Sequence, residues 1–179
     1  MIDPFLVRLW LHRLLFILVA AVILFIKILP ISLPIDRWPA PDLLLAMTLV
    51  WVMRRPDYVP ALIIAVVFLV GDIILQRPPG LLAAIMVGAT EFIRGRLILW
   101  RDWTFPVEWL VMATMIFAIV MVNRIGLTLF FVPRPGLGAV LLQALLTAIA
   151  YPIVAGFAVF VLRIRRIVPG DIDALSRRV

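Results

Sequence analysis

The sequence contains no cysteine and only one histidine, His12. Disulfides, thiolate nucleophiles, iron–sulfur clusters and cysteine zinc sites are therefore excluded, together with metal or haem sites that need several histidines. Serine occurs only at Ser32 and Ser176, outside the apolar runs, which excludes an intramembrane serine hydrolase. Metalloprotease, nucleophile-elbow and phosphate-loop motifs are also missing. The sequence therefore predicts a protein that is not an enzyme and that has no catalytic residue, cofactor or metal site.

Charged residues are scarce as well. They make up 15% of the 179 residues, against about 25% in soluble domains. Hydrophobic residues make up 65%, and the mean hydropathy is +1.19. A soluble protein of this size cannot bury so much apolar surface, so the composition predicts an integral membrane protein. The apolar residues form long unbroken runs, which favours helices over the alternating pattern of a membrane barrel.

Six apolar runs, separated by prolines or charged residues, predict an all-α protein with about six transmembrane helices in one bundle. The runs cover residues 14–29, 39–53, 58–76, 79–93, 105–122 and 137–162. The second and fourth runs reach only about 22 Å, so they extend into interfacial residues or are shielded by neighbouring protein. The whole chain, 1–179, is interpreted as a single polytopic membrane domain with a short cytoplasmic tail at 163–179.

The net charge of +7 indicates the orientation in the membrane and not a nucleic-acid partner, because the arginines lie at the ends of the apolar runs. With six spans, twelve basic residues lie on the side of the two termini and five on the other side. The positive-inside rule therefore places both termini in the cytoplasm.

Short connections predict that spans two to four form a compact antiparallel unit of neighbours. The segment from Asn123 to Gly136 is too apolar for a solvated loop. It is expected to lie in the membrane interface or to extend the fifth helix.

Asp72 is the strongest polar signal, because an ionisable residue inside a membrane span costs roughly 2.5–3.5 kcal/mol at the centre. It lies near the external end of the third run. Two interpretations stay open. The carboxylate either contacts another helix, a ligand or Arg77, or it reaches the headgroup region or closes the turn before Pro78-Pro79-Gly80.

The other acids in the apolar runs and turns have structural explanations. Glu91 precedes Arg94 by three residues, which is the spacing of an ion pair on one helix face. Glu108 and Asp42 fall in the first turns of predicted helices, where the helix dipole favours carboxylates. Asp57 follows a proline at another predicted helix start.

Small residues recur every four positions on the fourth span, at Gly80, Ala84 and Gly88. The last span offers only the pair Ala144 and Ala148. Such faces let helices approach closely. They serve either packing inside the bundle or docking of a single helix from another protein.

Four short motifs occur in the order of a family pattern: a proline–aspartate helix start, a basic turn, a membrane aspartate and a proline–glycine turn. They are Pro41-Asp42-Leu43-Leu44-Leu45, Trp51 through Arg54-Arg55-Pro56-Asp57, Gly71-Asp72, and Arg77-Pro78-Pro79-Gly80-Leu81. Over residues 38–95 the chain resembles the rod shape-determining protein MreD family. Length, span number and cytoplasmic termini are similar as well.

The resemblance implies a non-catalytic scaffold of the bacterial cell-elongation machinery in the inner membrane. Members of the family bind MreC, a bitopic protein with a large periplasmic part. Together they support lateral peptidoglycan synthesis and rod shape with a SEDS-type glycosyltransferase, a class B penicillin-binding transpeptidase and, indirectly, the MreB cytoskeleton. The family fold is also similar to the six-helix substrate-binding subunits of vitamin transporters.

Eight residues are the candidate partner-binding or structural positions of this scaffold. Asp72, Arg77 and Gly80 are expected to shape the external end of spans three and four. Ala84 and Gly88 would continue the small face inward. Asp42, Arg55 and Asp57 would fix the helix ends of the second hairpin.

Two other classes remain open. A vitamin-type binding subunit needs an outward polar pocket, and only Gln76, Asn123, Gln143 and Thr90 are suited to line one, which argues against it. A proton-coupled transporter needs a second buried acid facing Asp72, and the spans place none at a matching depth.

The sequence makes one direct prediction. Asp72→Leu is expected to weaken partner binding more than membrane insertion, because the polar contact is lost while the span becomes more apolar. A pull-down of the partner, compared with the amount of variant in the membrane, measures both effects. A variant that inserts and keeps its partner normally would make Asp72 dispensable for binding.

Overall fold

The computed structural model describes residues 4–29, 39–100, 103–132 and 136–160, and the regular structure in these ranges is entirely helical. A single 3₁₀ turn, Pro56–Tyr58, joins the second and third helices. The six helices are α1 (Pro4–Ile28), α2 (Leu43–Arg54), α3 (Ala61–Ile74), α4 (Leu81–Arg96), α5 (Phe105–Leu129) and α6 (Leu137–Phe160). Each predicted span therefore contains one helix. The predicted tail at 163–179 lies outside the described residues.

Three helices are long and apolar enough to cross a membrane: Leu6–Ile28 within α1, and the whole of α5 and α6. At 1.5 Å per residue, α5 and α6 reach about 36 Å, which exceeds the roughly 30 Å hydrocarbon core of a bilayer. Few of their residues are buried, and large apolar side chains such as Leu11, Leu18 and Phe25 of α1 are exposed. Exposed apolar surface of this extent is consistent with contact to lipid.

Helix α2 is short and lies at the centre of the bundle. Its residues from Leu44 to Met53 are all buried, and it packs against α1, α4, α5 and α6. Twelve residues span only about 18 Å. Of the two alternatives for the short second run, the structure therefore shows shielding by neighbouring protein.

The main partner of α2 is α6, not the adjacent α3. Buried small residues on α6, among them Ala144, Ala148 and Ala155, permit this close approach. The predicted unit of spans two to four is therefore wrong for α2. The reason is that a helix buried on every side needs more neighbours than its own hairpin provides.

Helices α3 and α4 do form an antiparallel hairpin, as expected. The backbone turns through Gln76 and Gly80, which have positive φ angles of 53° and 90°. Gly80 is the N-cap of α4 in the left-handed region, where a side chain would be strained. Further along the chain, α5 continues to Leu129, so the expected extension of the fifth helix is confirmed.

Candidate functional site

A polar cavity of about 260 Å³ lies at the end of the bundle where α2, α4 and α6 begin and α3 and α5 end. We call this the cavity end. Its apolar walls include Leu45, Leu82, Val120 and Val140. Eight polar side chains also line it, and they come from the start of α2, from α3, α5 and α6, and from the α3–α4 turn. They are Asp42, Asp72, Gln76, Arg77, Asn123, Arg124, Gln143 and Thr147.

Asp42 ties three helices together at the cavity. Its Oδ1 accepts a hydrogen bond from Lys27 Nζ of α1 at 2.9 Å and from the backbone N–H of Leu45 at 3.3 Å. Its own backbone N–H donates to Thr147 Oγ1 of α6 at 2.9 Å. Asp42 is therefore the N-cap of α2, and its carboxylate and amide join the start of that helix to α1 and α6.

Asp72 caps the helix that follows it. The residue is 1% exposed, and its Oδ2 accepts a hydrogen bond from the Gly80 N–H at 3.1 Å. The backbone N–H of Arg77 donates to the Asp72 carbonyl at 2.8 Å. Asp72 thus closes the α3–α4 turn, and its carboxylate satisfies the backbone amide at the N-cap of α4.

The structure corrects both arguments made against a ligand or proton site. Gln76, Asn123 and Gln143 converge on one cavity, whereas Thr90 is buried elsewhere on α4 and donates to the Met86 carbonyl. A second buried acid also accompanies Asp72, because Asp42 lines the same cavity. The sequence argument missed this because helix ends from distant runs meet at one end of the bundle.

Arg55 and Asp57 lie at the opposite end, which we call the arginine end. Arg55 is the C-cap of α2, and its guanidinium lies 5.7 Å from the centre of the Tyr58 ring. Asp57 is exposed, and its carbonyl accepts a hydrogen bond from Arg13 Nη2 at 3.3 Å. These two residues are therefore separated from the cavity by the length of α2.

Ala84 and Gly88 point away from the bundle. Both are exposed on the outer face of α4, while Leu82, Met86 and Ile93 form its buried face. A Cβ added at Gly88 meets no atom within 4 Å. Ala84 and Gly88 therefore do not pack against the described helices, in contrast to Ala83 of the same helix and to Ala144 and Ala148 of α6.

Two further acids were assigned structural roles from the sequence. The predicted ion pair between Glu91 and Arg94 is confirmed, and Arg94 also donates to the Val59 carbonyl. Glu108 lies in the first turn of α5, as expected, but it is fully buried and accepts a hydrogen bond from Tyr151 Oη at 2.8 Å. No local pattern could have indicated this link between residues 43 positions apart.

Comparisons with protein-family models, with curated proteins and with solved structures find no match to this chain. The structure itself defines a helical protein with membrane-length apolar helices and a polar cavity at one end of its bundle. Within the described ranges, no group of three or more histidine, aspartate or glutamate residues is placed to hold a metal ion.

The Lys27–Asp42 pair generates a stability prediction. Lys27→Met removes the ion-pair partner of the Asp42 carboxylate, whose side chain is 11% exposed. We expect the free energy of unfolding to fall by up to about 3 kcal/mol, the lower end for buried pairs, because Lys27 keeps partial exposure. Asp42→Asn added to Lys27→Met is expected to recover most of the loss, since asparagine also caps helices. Unfolding in detergent measures both variants, and strictly additive losses would contradict the ion pair.

Proposed function

We propose that this protein is a six-span, non-catalytic scaffold of the bacterial cell-elongation machinery and that it binds MreC. In this proposal it lies in the inner membrane with both termini in the cytoplasm. It supports lateral peptidoglycan synthesis and rod shape together with a SEDS-type glycosyltransferase and a class B penicillin-binding transpeptidase, and it acts on the MreB cytoskeleton indirectly. The resemblance of residues 38–95 to the MreD family motivates the identity of the partners.

The observation that carries the proposal is the outward position of the small face on α4. Ala84 and Gly88 are exposed, and no described helix covers them. If this face served packing inside the bundle, its residues would be buried like Ala144 and Ala148 of α6. A small-residue face that is free on a membrane bundle suits a single transmembrane helix, because van der Waals contact at close range drives helix association in lipid. MreC offers such a helix.

The arrangement of charge supports the proposed orientation. Arg13, Arg54 and Arg94 lie together around the Pro56–Tyr58 turn, with Arg13 and Arg94 bonded to carbonyls of Asp57 and Val59. An arginine-rich end fits the cytoplasmic side by the positive-inside rule. The cavity end then faces the periplasm, where the large part of MreC would lie.

Gly88→Leu is the sharpest test of the scaffold. The added side chain lies on the outer face of α4 and meets no atom of the described helices, so we expect normal insertion and an unfolding temperature that is unchanged or slightly raised. It would keep a docked helix from approaching α4, so MreC retained in a pull-down from the native membrane should fall at least fivefold. This variant tests docking more specifically than Asp72→Leu does, because Asp72→Leu also removes the cap of α4.

Gly156→Leu on α6 is the matched control. A Cβ at Gly156 also meets nothing within 4 Å, so the same substitution is made at an equally open glycine on another helix. We expect this variant to retain MreC. Equal retention of MreC by both variants would overturn docking on α4, and the absence of MreC from the wild-type preparation would overturn the scaffold itself.

A second candidate function is favoured by the cavity. A small-molecule-binding subunit of a vitamin-type transporter needs an outward pocket with several hydrogen-bonding groups. Gln76, Asn123 and Gln143 line such a pocket, together with the acids Asp42 and Asp72.

Native mass spectrometry of the protein purified in mild detergent separates the two functions. The scaffold predicts a stoichiometric bitopic partner with a periplasmic domain. The transporter subunit predicts an associated ATPase module without that partner. Recovery of the ATPase module alone would decide against the scaffold.

A further inference from the structure

We propose that the cavity binds the phosphate ester of an anionic ligand, with Arg77 as its main charged contact. The ligand is either the headgroup of an anionic phospholipid or a soluble phosphate ester of similar size. This inference concerns a site that neither the scaffold nor the docking face on α4 requires. It therefore stands or falls independently of MreC binding.

The two acids that line the cavity are already engaged by the protein. Asp42 is paired with Lys27 at 2.9 Å and caps α2 through the Leu45 N–H. Asp72 accepts from the Gly80 N–H at the start of α4. Neither carboxylate needs a cationic ligand, because each already has donors that stabilise its charge.

Arg77 is the cation of the lining on which the proposal rests. Lys27 neutralises Asp42 from the edge of the cavity, and the Asp72 carboxylate accepts from the Gly80 N–H. Arg77 lines the cavity and is half-buried, yet it forms no ion pair with another residue in the described ranges. A half-buried guanidinium of this kind favours a bidentate oxyanion.

Neutral hydrogen-bond donors in the lining and the volume of the cavity narrow the class of ligand further. The side-chain amides of Gln76 and Asn123 face the same space as Arg77 and can donate to phosphate oxygens. A volume of 260 Å³ equals that of about nine waters at about 30 Å³ each. It holds a headgroup-sized phosphate ester but not acyl chains, which would remain outside. The cavity also lies at a bundle end, where a bilayer places its phosphates.

The test uses delipidated full-length protein in a non-ionic detergent and two ligands that share one chemistry. Phosphatidylglycerol is the lipid probe, and glycerol 3-phosphate is the soluble probe. Binding is measured by native mass spectrometry and by the rise in unfolding temperature. We expect wild-type protein to bind at least one probe, and Arg77→Gln to weaken that binding at least tenfold. Arg77→Lys should fall between them, because lysine keeps the charge without the bidentate geometry.

Arg96→Gln is the matched control. It removes the same charge from an exposed residue at the arginine end, where its guanidinium lies over Phe92, so binding should not change. Binding of phosphatidylglycerol alone supports a lipid headgroup, and binding of glycerol 3-phosphate supports a soluble ester. Binding of neither probe, equal binding of phosphatidylcholine, or equal binding by the folded Arg77→Gln variant would overturn the proposal.

Discussion

The packing of the bundle depends on how the free backbone amides at the start of α2 find hydrogen-bond acceptors. A helix that is buried on every side has free backbone amides at its first turn, and water cannot reach them as it does at a surface helix. Asp42 alone supplies several of the hydrogen bonds at this helix start. Its carboxylate accepts from the amide of Leu45 and from Lys27, and its own amide donates to Thr147. The position of α2 is thereby fixed against α1 and α6, and the other helices pack around it.

The start of α4 also has a buried carboxylate as its cap, but that carboxylate comes from another helix. Gly80 occupies the N-cap and has no side chain to accept from the first turn, so Asp72 of the preceding helix supplies the carboxylate. Two buried acids thus cap two helices that begin at the same end. Their burial near each other follows from the antiparallel order of the helices, and it leaves a polar cavity where a tightly packed apolar core would otherwise continue.

Much of the fold could be predicted because its signals are local. Apolar runs, prolines and first-turn acids indicated each helix, and the spacing of Glu91 and Arg94 indicated their ion pair. The pairing of α2 with α6 could not be predicted, since it joins residues such as Asp42 and Thr147 that are 105 positions apart. The cavity was missed for the same reason: its lining comes from five helices or their ends, and no single run shows it. The direction of the small face on α4 likewise depends on which neighbours surround that helix.

The shortness of α2 has a geometric consequence. Helix α2 is only about 18 Å long, whereas the outer helices α5 and α6 are long enough to cross the whole hydrocarbon layer. The packed centre of the bundle is therefore thinner than its outer helices are long. The cavity lies at the end where Asp42 begins α2, so it takes up part of the length that α2 does not supply.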